Sequence, residues 1–200
     1  MKDLISFFKK ADPIIADIIM QVGPLAETEQ RSAFKTLVSA VISQQLSVKA
    51  AKTIHDRLIH LLDGEVTAQR MLALDSERMR AVGISGQKQG YLHSLAEHFI
   101  ADEDTFNNLH ALDDEAVILQ LTRIKGIGRW TAEMYLMFNL KRPDVFPFDD
   151  LGIRQNMERH YNIPASKKPN RSDYEAIASK WRPHRTAACR YLWASKDLKK

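Results

Sequence analysis

Asp149 and Asp150 stand side by side in Val145-Phe146-Pro147-Phe148-Asp149-Asp150-Leu151-Gly152-Ile153, just ahead of Ile153, Met157 and His160 at helical spacing. Asp150 therefore falls at or just inside a helix N-terminus, where the macrodipole and unsatisfied N–H groups favour an anion. A carboxylate so placed is suited to stabilising positive charge rather than donating a proton, and Asp149 reads as the cap. About twenty residues upstream, Lys125-Gly126-Ile127-Gly128-Arg129 supplies two residues that tolerate positive φ and lack Cβ atoms. Backbone N–H groups there can approach an anion such as a nucleic-acid phosphate, with charge added by Lys125 and Arg129. The same glycine spacing also fits an ordinary turn between helices.

The elements that position these residues are helical throughout. Asp113 or Asp114 can cap a helix carrying Val117, Leu121 and Ile124, and beyond the glycines Trp130, Met134, Met137 and Phe138 share one stripe. Together these make a helix, a tight hairpin and a helix. Asp12-Pro13 is an N-cap with proline at the first helical position, predicting a helix that runs to Val22 and stops at Gly23-Pro24. Phe34, Leu37, Val38, Val41 and Ile42 form a stripe that ends at Ser43-Gln44-Gln45-Leu46-Ser47, and Ser47 caps a helix through Ala51, Ile54, Leu58 and Leu62. Gly83-Ile84-Ser85-Gly86 precedes a helix with Tyr91, Leu92, Leu95 and Phe99, on which Lys88 could reach a phosphate but reads first as a solvated surface lysine. A basic loop through Asn170 leads to the capping box Ser172-Asp173-Tyr174-Glu175, and after Trp181-Arg182-Pro183 a last helix carries Ala188, Tyr191, Leu192 and Trp193. Such a chain belongs to the all-α class.

Two hundred residues suffice for two packed helical lobes sharing a cleft. The expected division is a lobe of about 31–142 that carries the hairpin and a second of about 1–30 plus 143–200. Net charge is +4, but the last 36 residues hold ten Lys/Arg against three Asp/Glu, which suits a polyanionic partner or a solvated basic tail. Cys189 is the only cysteine, so no intrachain disulfide or four-cysteine cluster is possible. The histidines His55, His60, His93, His98 and His110 show no helical metal-site spacing and are placed on polar faces. No apolar run reaches the ~18 residues of a bilayer span, and Met1 to Asp12 lacks a signal-peptide core, so no membrane association and a cytosolic location are expected.

Leu121-x-x-Ile124-Lys125-Gly126-Ile127-Gly128-Arg129-Trp130-Thr131-Ala132, followed by Asp150, resembles the helix-hairpin-helix-GPD DNA glycosylases, most closely their 3-methyladenine DNA glycosylase II branch. The resemblance extends from about Phe34 to Trp193. Lys125 departs from the proline of many members, which bears on the stiffness of the turn. The resemblance implies a single module, working as a monomer on double-stranded DNA with a damaged base, in the nucleoid region of a prokaryote's cytoplasm or in a nucleus. It excludes the iron-sulfur branch, since one cysteine cannot hold a cluster. It implies Asp150 as the catalytic carboxylate, and Gln44, Gln45, Leu46, Lys125, Gly126, Ile127, Gly128 and Arg129 as DNA contacts, with Gln45 or Leu46 filling the gap left by an extruded nucleotide. Trp130, Met134, Phe148 and Trp193 are implied as the base pocket. No cofactor is implied beyond a Na+ or K+ on the carbonyls of Thr122, Ile124 and Ile127 when DNA is bound. Trp130 occupies the position where bifunctional relatives place a Schiff-base lysine, so base removal without strand cleavage is expected. A carboxylate about 4 Å from the developing sugar cation contributes ~4 kcal/mol at an effective dielectric of 20, roughly a thousandfold in rate. That is too little for an ordinary base and fits one already activated, as a cationic alkylated purine is. Deaminated bases such as hypoxanthine or uracil, and a non-catalytic DNA-binding module, are the alternative readings.

Overall fold

The computed structural model describes residues 1–27, 29, 31–163 and 170–198, and every regular element among them is helical. The chain divides into two compact units, Met1–Thr28 with Lys141–Lys200 and the contiguous Glu29–Leu140. The first opens with α1 (Lys2–Ala11) and α2 (Pro13–Val22). The second holds α3 (Ala33–Ser43), α4 (Val48–Leu61), α5 (Ala68–Leu72), α6 (Ser76–Ala81), α7 (Gly86–Ala101), α8 (Glu103–Asn107), α9 (Asp114–Thr122) and α10 (Arg129–Phe138). The chain then returns to the first unit with α11 (Leu151–Tyr161), α12 (Arg171–Ala178) and α13 (Arg185–Ala194). The basic loop's Lys167 and Lys168, and the terminal Lys199 and Lys200, lie outside the described residues. No helix among the described residues is long and apolar enough to cross a membrane.

The contiguous unit is built around α7, against which α3, α5, α6 and α8 pack. Leu92, Leu95 and Ala96 of α7 are fully buried with Leu37, Val38 and Val41 of α3, so alternating polar and apolar positions at helical spacing account for the arrangement. The two ends of the unit are fastened by Asn139 just beyond α10. Its buried amide donates to the Arg31 carbonyl (2.8 Å) and to Thr36 Oγ1 (2.7 Å) at the start of α3.

In the other unit α2 packs on α1 and α13, and α11 on α13. The expected cap at Asp12 is present, but the residue does much more. Oδ1 accepts the N–H groups of Ile14 and Ile15, while Oδ2 accepts Tyr161 Oη (2.6 Å) and Trp181 Nε1 (2.7 Å). One buried carboxylate thus joins α2 to the end of α11 and to the turn after α12, and the same contact with burial pushes the Tyr161 phenol far above its ordinary range. Two local expectations are corrected. The cap of α12 is Asn170, whose Oδ1 accepts Ser172 N–H, so the helix starts ahead of the capping box. Helix α1, absent from the reading of Met1 to Asp12, forms because Phe8 finds a fully buried place beside α2.

Asp12→Ala should lower the unfolding free energy by about 3 kcal/mol or more, because it leaves a half-buried phenol and a buried indole N–H without their acceptor. Urea denaturation followed by tryptophan fluorescence measures this, and a loss under about 1 kcal/mol contradicts the hub role.

Candidate functional site

The segment leading to the paired carboxylates is laid on the start of α13 by polar contacts. Asp144 takes Arg182 Nη1 and Arg185 Nε, each at 2.7 Å. Thr186 Oγ1 donates to the Arg142 carbonyl (2.6 Å) and accepts Val145 N–H (3.0 Å). The chain then turns at Pro147, whose carbonyl accepts Asp150 N–H (3.0 Å), and α11 begins. The cap of α11 is Asp150 itself: Oδ1 accepts Ile153 N–H at 2.8 Å. Asp149, expected as the cap, is exposed, and its neighbour takes the capping bond instead.

The same Oδ1 accepts Trp193 Nε1 at 2.9 Å. Two donors of fixed position therefore aim this carboxylate. Gly152 makes the approach possible, since a Cβ there would lie 3.1 Å from Asp150 Oδ1 and 3.3 Å from the indole. A glycine inside the first turn of a helix, with no turn to make, was the available signal for this close contact. Trp193, expected as a stacking surface, is thus also the residue that orients Asp150. Phe148, expected in the base pocket, is a core side chain at 8% exposure. Tyr174 meets it edge-on and the Arg154 and Arg171 guanidinium groups lie over its ring, which leaves it no open face.

In the contiguous unit, Asp113 caps α9 and the hairpin follows. Only Gly126 adopts positive φ (+88°), and a Cβ there would sit 2.3 Å from the Tyr91 ring. Gly128, which could also tolerate that conformation, is extended at φ −93° and serves as the N-cap of α10 without a side-chain cap. A Cβ on Gly128 would meet nothing within 4 Å, so no neighbour crowds this residue. Lys125 N–H donates to Ser94 Oγ (3.3 Å), a bond that the usual proline forgoes, and this bond with the Tyr91 contact restrains the turn instead of a ring.

Arg129 is corrected as a phosphate contact. Its guanidinium forms a fork on Glu115 and bonds Glu133 Oε1, so its charge is matched within the protein; the Glu115 contact chiefly pushes its pKa up. Lys125 and Gly128 are exposed at the hairpin, Gly126 is half-buried and Ile127 is buried. On α10 the inward positions are Ala132, Tyr135 and Leu136, whereas Trp130 is 44% exposed and Met134 half-buried. Met137 of the same stripe is buried, so the stripe is covered at that position and open at Trp130.

Between α3 and α4 lies a tight turn. Leu46 N–H meets the Ser43 carbonyl (3.2 Å), with Gln44 at φ −54°, ψ 128° and Gln45 at φ +57°, the torsions of a type II turn. Gln45 is exposed and Leu46 39% exposed at its tip. Gln44, expected on DNA, turns inward and donates to the Gly126 carbonyl (2.9 Å). Lys88, expected in solvent, donates to the carbonyls of Ile42 (2.6 Å) and Gln44 (2.7 Å). More than forty residues separate these partners, and no local pattern announces such a contact.

A cation at the hairpin is compatible with its donors. The Thr122, Ile124 and Ile127 carbonyls are hard oxygen ligands around the end of α9, the negative end of a helix dipole, and the bond Ile124 accepts from Ile127 N–H occupies one of two lone pairs. A second nucleophile–base arrangement fails. Ser39 Oγ lies 2.8 Å from His55 Nε2 but donates its own proton to the Lys35 carbonyl (2.9 Å), so the imidazole is donor, not base. Desolvation in this half-buried place is the main cause lowering the His55 pKa.

Residues 38–183 match the family described as HhH-GPD superfamily base excision DNA repair protein. A Schizosaccharomyces pombe relative named DNA-3-methyladenine glycosylase 1 is 39% identical over 187 residues, spanning 92% of this chain and 81% of the relative. Among solved structures, a DNA-3-methyladenine glycosidase from Bacillus halodurans matches with a TM-score of 0.84 at 31% identity, over 96% of this chain and 88% of that one. The 3-methyladenine DNA glycosylase of S. pombe in complex with abasic DNA matches with 0.83 at 35% identity, over 98% and 97%.

Gly126→Ala should cost about 2 kcal/mol or more of stability, since it adds backbone strain and a clash with Tyr91. Gly128→Ala should cost well under ~1 kcal/mol at its ordinary torsions. Denaturant unfolding of both variants decides, and equal costs contradict the assignment of the hairpin's special conformation to Gly126 alone.

Proposed function

The chain belongs to the HhH-GPD superfamily of base excision DNA repair proteins, and from that membership we propose that it is a monofunctional DNA glycosylase for alkylated purines. It removes bases of the 3-methyladenine and 7-methylguanine class by hydrolysis of the N-glycosidic bond and leaves an abasic site. Support comes from two relatives at 39% and 31% identity that carry 3-methyladenine glycosylase or glycosidase names. The observation that carries the reading is the Asp150 carboxylate, fixed by the α11 N-terminus and the Trp193 indole. A module that only bound DNA would gain nothing from an anion aimed so firmly.

The work divides among named residues. The open N-terminus of α10, with Lys125, holds a backbone phosphate through N–H groups at Gly128 and beyond, which positions the protein without reading sequence. A Na+ or K+ on the Thr122, Ile124 and Ile127 carbonyls adds positive charge beside that phosphate when DNA is bound. The Gln45–Leu46 tip enters the duplex as the damaged nucleotide leaves it, Leu46 offering an apolar surface to the adjoining bases. Trp130 and Met134 of α10 are assigned to contact with the extruded, electron-poor purine. Asp150 then offsets the positive charge that grows on the sugar as the bond stretches, and orients water for attack. With tryptophan at position 130 there is no amine to form a Schiff base, so the strand stays intact. One copy of the chain contains every group named, acting at chromosomal DNA in a nucleoid or nucleus.

Duplexes carrying methylated purines or hypoxanthine, incubated with the wild type and with Asp150→Asn, test the assignment through alkali-labile sites. Wild type should act chiefly on the methylated duplex, and Asp150→Asn should be slower by roughly a thousandfold with duplex affinity retained. Equal products from both proteins remove the catalytic role of Asp150, preference for hypoxanthine replaces the substrate class, and Trp130-dependent strand breaks without alkali overturn the monofunctional assignment.

A further inference from the structure

One face of α7 holds both loops assigned to DNA. Lys88, Tyr91 and Ser94 follow one another at intervals of three along this helix, so they share a side. Lys88 Nζ donates to the Ile42 and Gln44 carbonyls, at 2.6 and 2.7 Å, at the end of α3. The Tyr91 ring covers Gly126 of the hairpin, and Ser94 Oγ accepts the N–H of Lys125. The loops are also joined directly, since the Gln44 side chain donates to the Gly126 carbonyl.

The α3 end needs such support. A helix C-terminus leaves carbonyls without intrahelical partners and carries the negative end of the dipole, which an ammonium neutralises. The turn that follows also has Gln45 in left-handed torsions disfavoured for a residue with a Cβ, so it depends on neighbours that fix it. Lys88 is half-buried, and that burial pushes its pKa below the usual lysine range. Its stem is thus committed to the protein rather than extended towards a phosphate.

We infer that Lys88 is a positioning residue for damage recognition: by closing the carbonyl end of α3 it sets the height of the Gln45–Leu46 tip above the hairpin, so that gripping the phosphate and filling the duplex gap occur as one event. This rests on the glycosylase reading. Gln44 transmits the same constraint from the other side.

Lys88→Met keeps a straight side chain of similar length and removes the donors, while Lys88→Arg keeps a cation able to bond carbonyls. Two measurements apply to each. The first needs no DNA: amide hydrogen exchange at Leu46, whose N–H closes the turn, should speed up roughly tenfold in Lys88→Met, stay within about threefold in Lys88→Arg, and not change in α9 or α10. The second compares affinity for a duplex with a tetrahydrofuran abasic-site analogue against the intact duplex. Lys88→Met should lose roughly tenfold of the wild-type preference while binding intact duplex within about twofold, and Lys88→Arg should keep the preference. Unchanged exchange in Lys88→Met overturns the clamp. Faster exchange with undiminished preference overturns its role in recognition. A wild type that does not distinguish the two duplexes overturns the glycosylase reading itself, and the exchange comparison still scores the clamp.

Discussion

Helix α11 is pinned at both ends by an aromatic donor and a carboxylate, and the chemistry assigned to this protein depends on that double anchorage. At its start Trp193 donates to Asp150, and at its close Tyr161 donates to Asp12. The two bonds are inverted copies of one device: the helix supplies the acid at one end and the phenol at the other. Hydrogen bonds to carboxylates are among the stronger neutral-to-charged contacts, and indole and phenol have few rotamers to lose. A mobile carboxylate would relax toward water whenever a cation formed beside it, whereas one held by fixed donors stabilises that charge without rearranging. Gly152 belongs to the same device, because a Cβ there would lie 3.1 Å from the carboxylate oxygen and 3.3 Å from the indole, close enough that one of them must shift by a few tenths of an ångström.

In the proposed reading the contiguous unit has a different task, gripping a polyanion without reading its sequence. Its most conspicuous cation near the hairpin, Arg129, is occupied by Glu115 and Glu133. What remains is largely backbone: the uncapped start of α10 and the conformation that Gly126 permits. Backbone N–H groups have directions set by the fold, so they specify where a phosphate sits more tightly than a lysine would. The arginine instead holds α9 to α10 across the hairpin, which keeps those N–H groups aligned.

Much of this was legible in the chain. Helical spacing located α3, α4, α9 and α10, and caps such as Asp12, Ser47 and Asp113 marked helix starts because the capping bond spans only two or three residues. Asp150 and the glycine hairpin stood out for the same local reason. What failed to show was every role fixed at long range. Periodicity treats Trp130, Met134 and Met137 alike, although only Met137 is buried among the three. Gln44 and Lys88 look like surface residues until the fold sets carbonyls within reach. Phe148 sits two positions from the Asp150 carboxylate yet faces inward, since the chain reverses at Pro147. Asp149 and Asp150 could not be told apart by composition, because their difference is one of register.

The unit that carries Asp150 is assembled from two stretches separated by 112 intervening residues, with the hairpin unit lying wholly between them in the sequence. During synthesis, α1 and α2 must wait for the rest of their core, and the indole that aims the carboxylate arrives with the last long helix. Every residue of the hairpin unit is therefore in place along the chain before the bond between Trp193 and Asp150 can form.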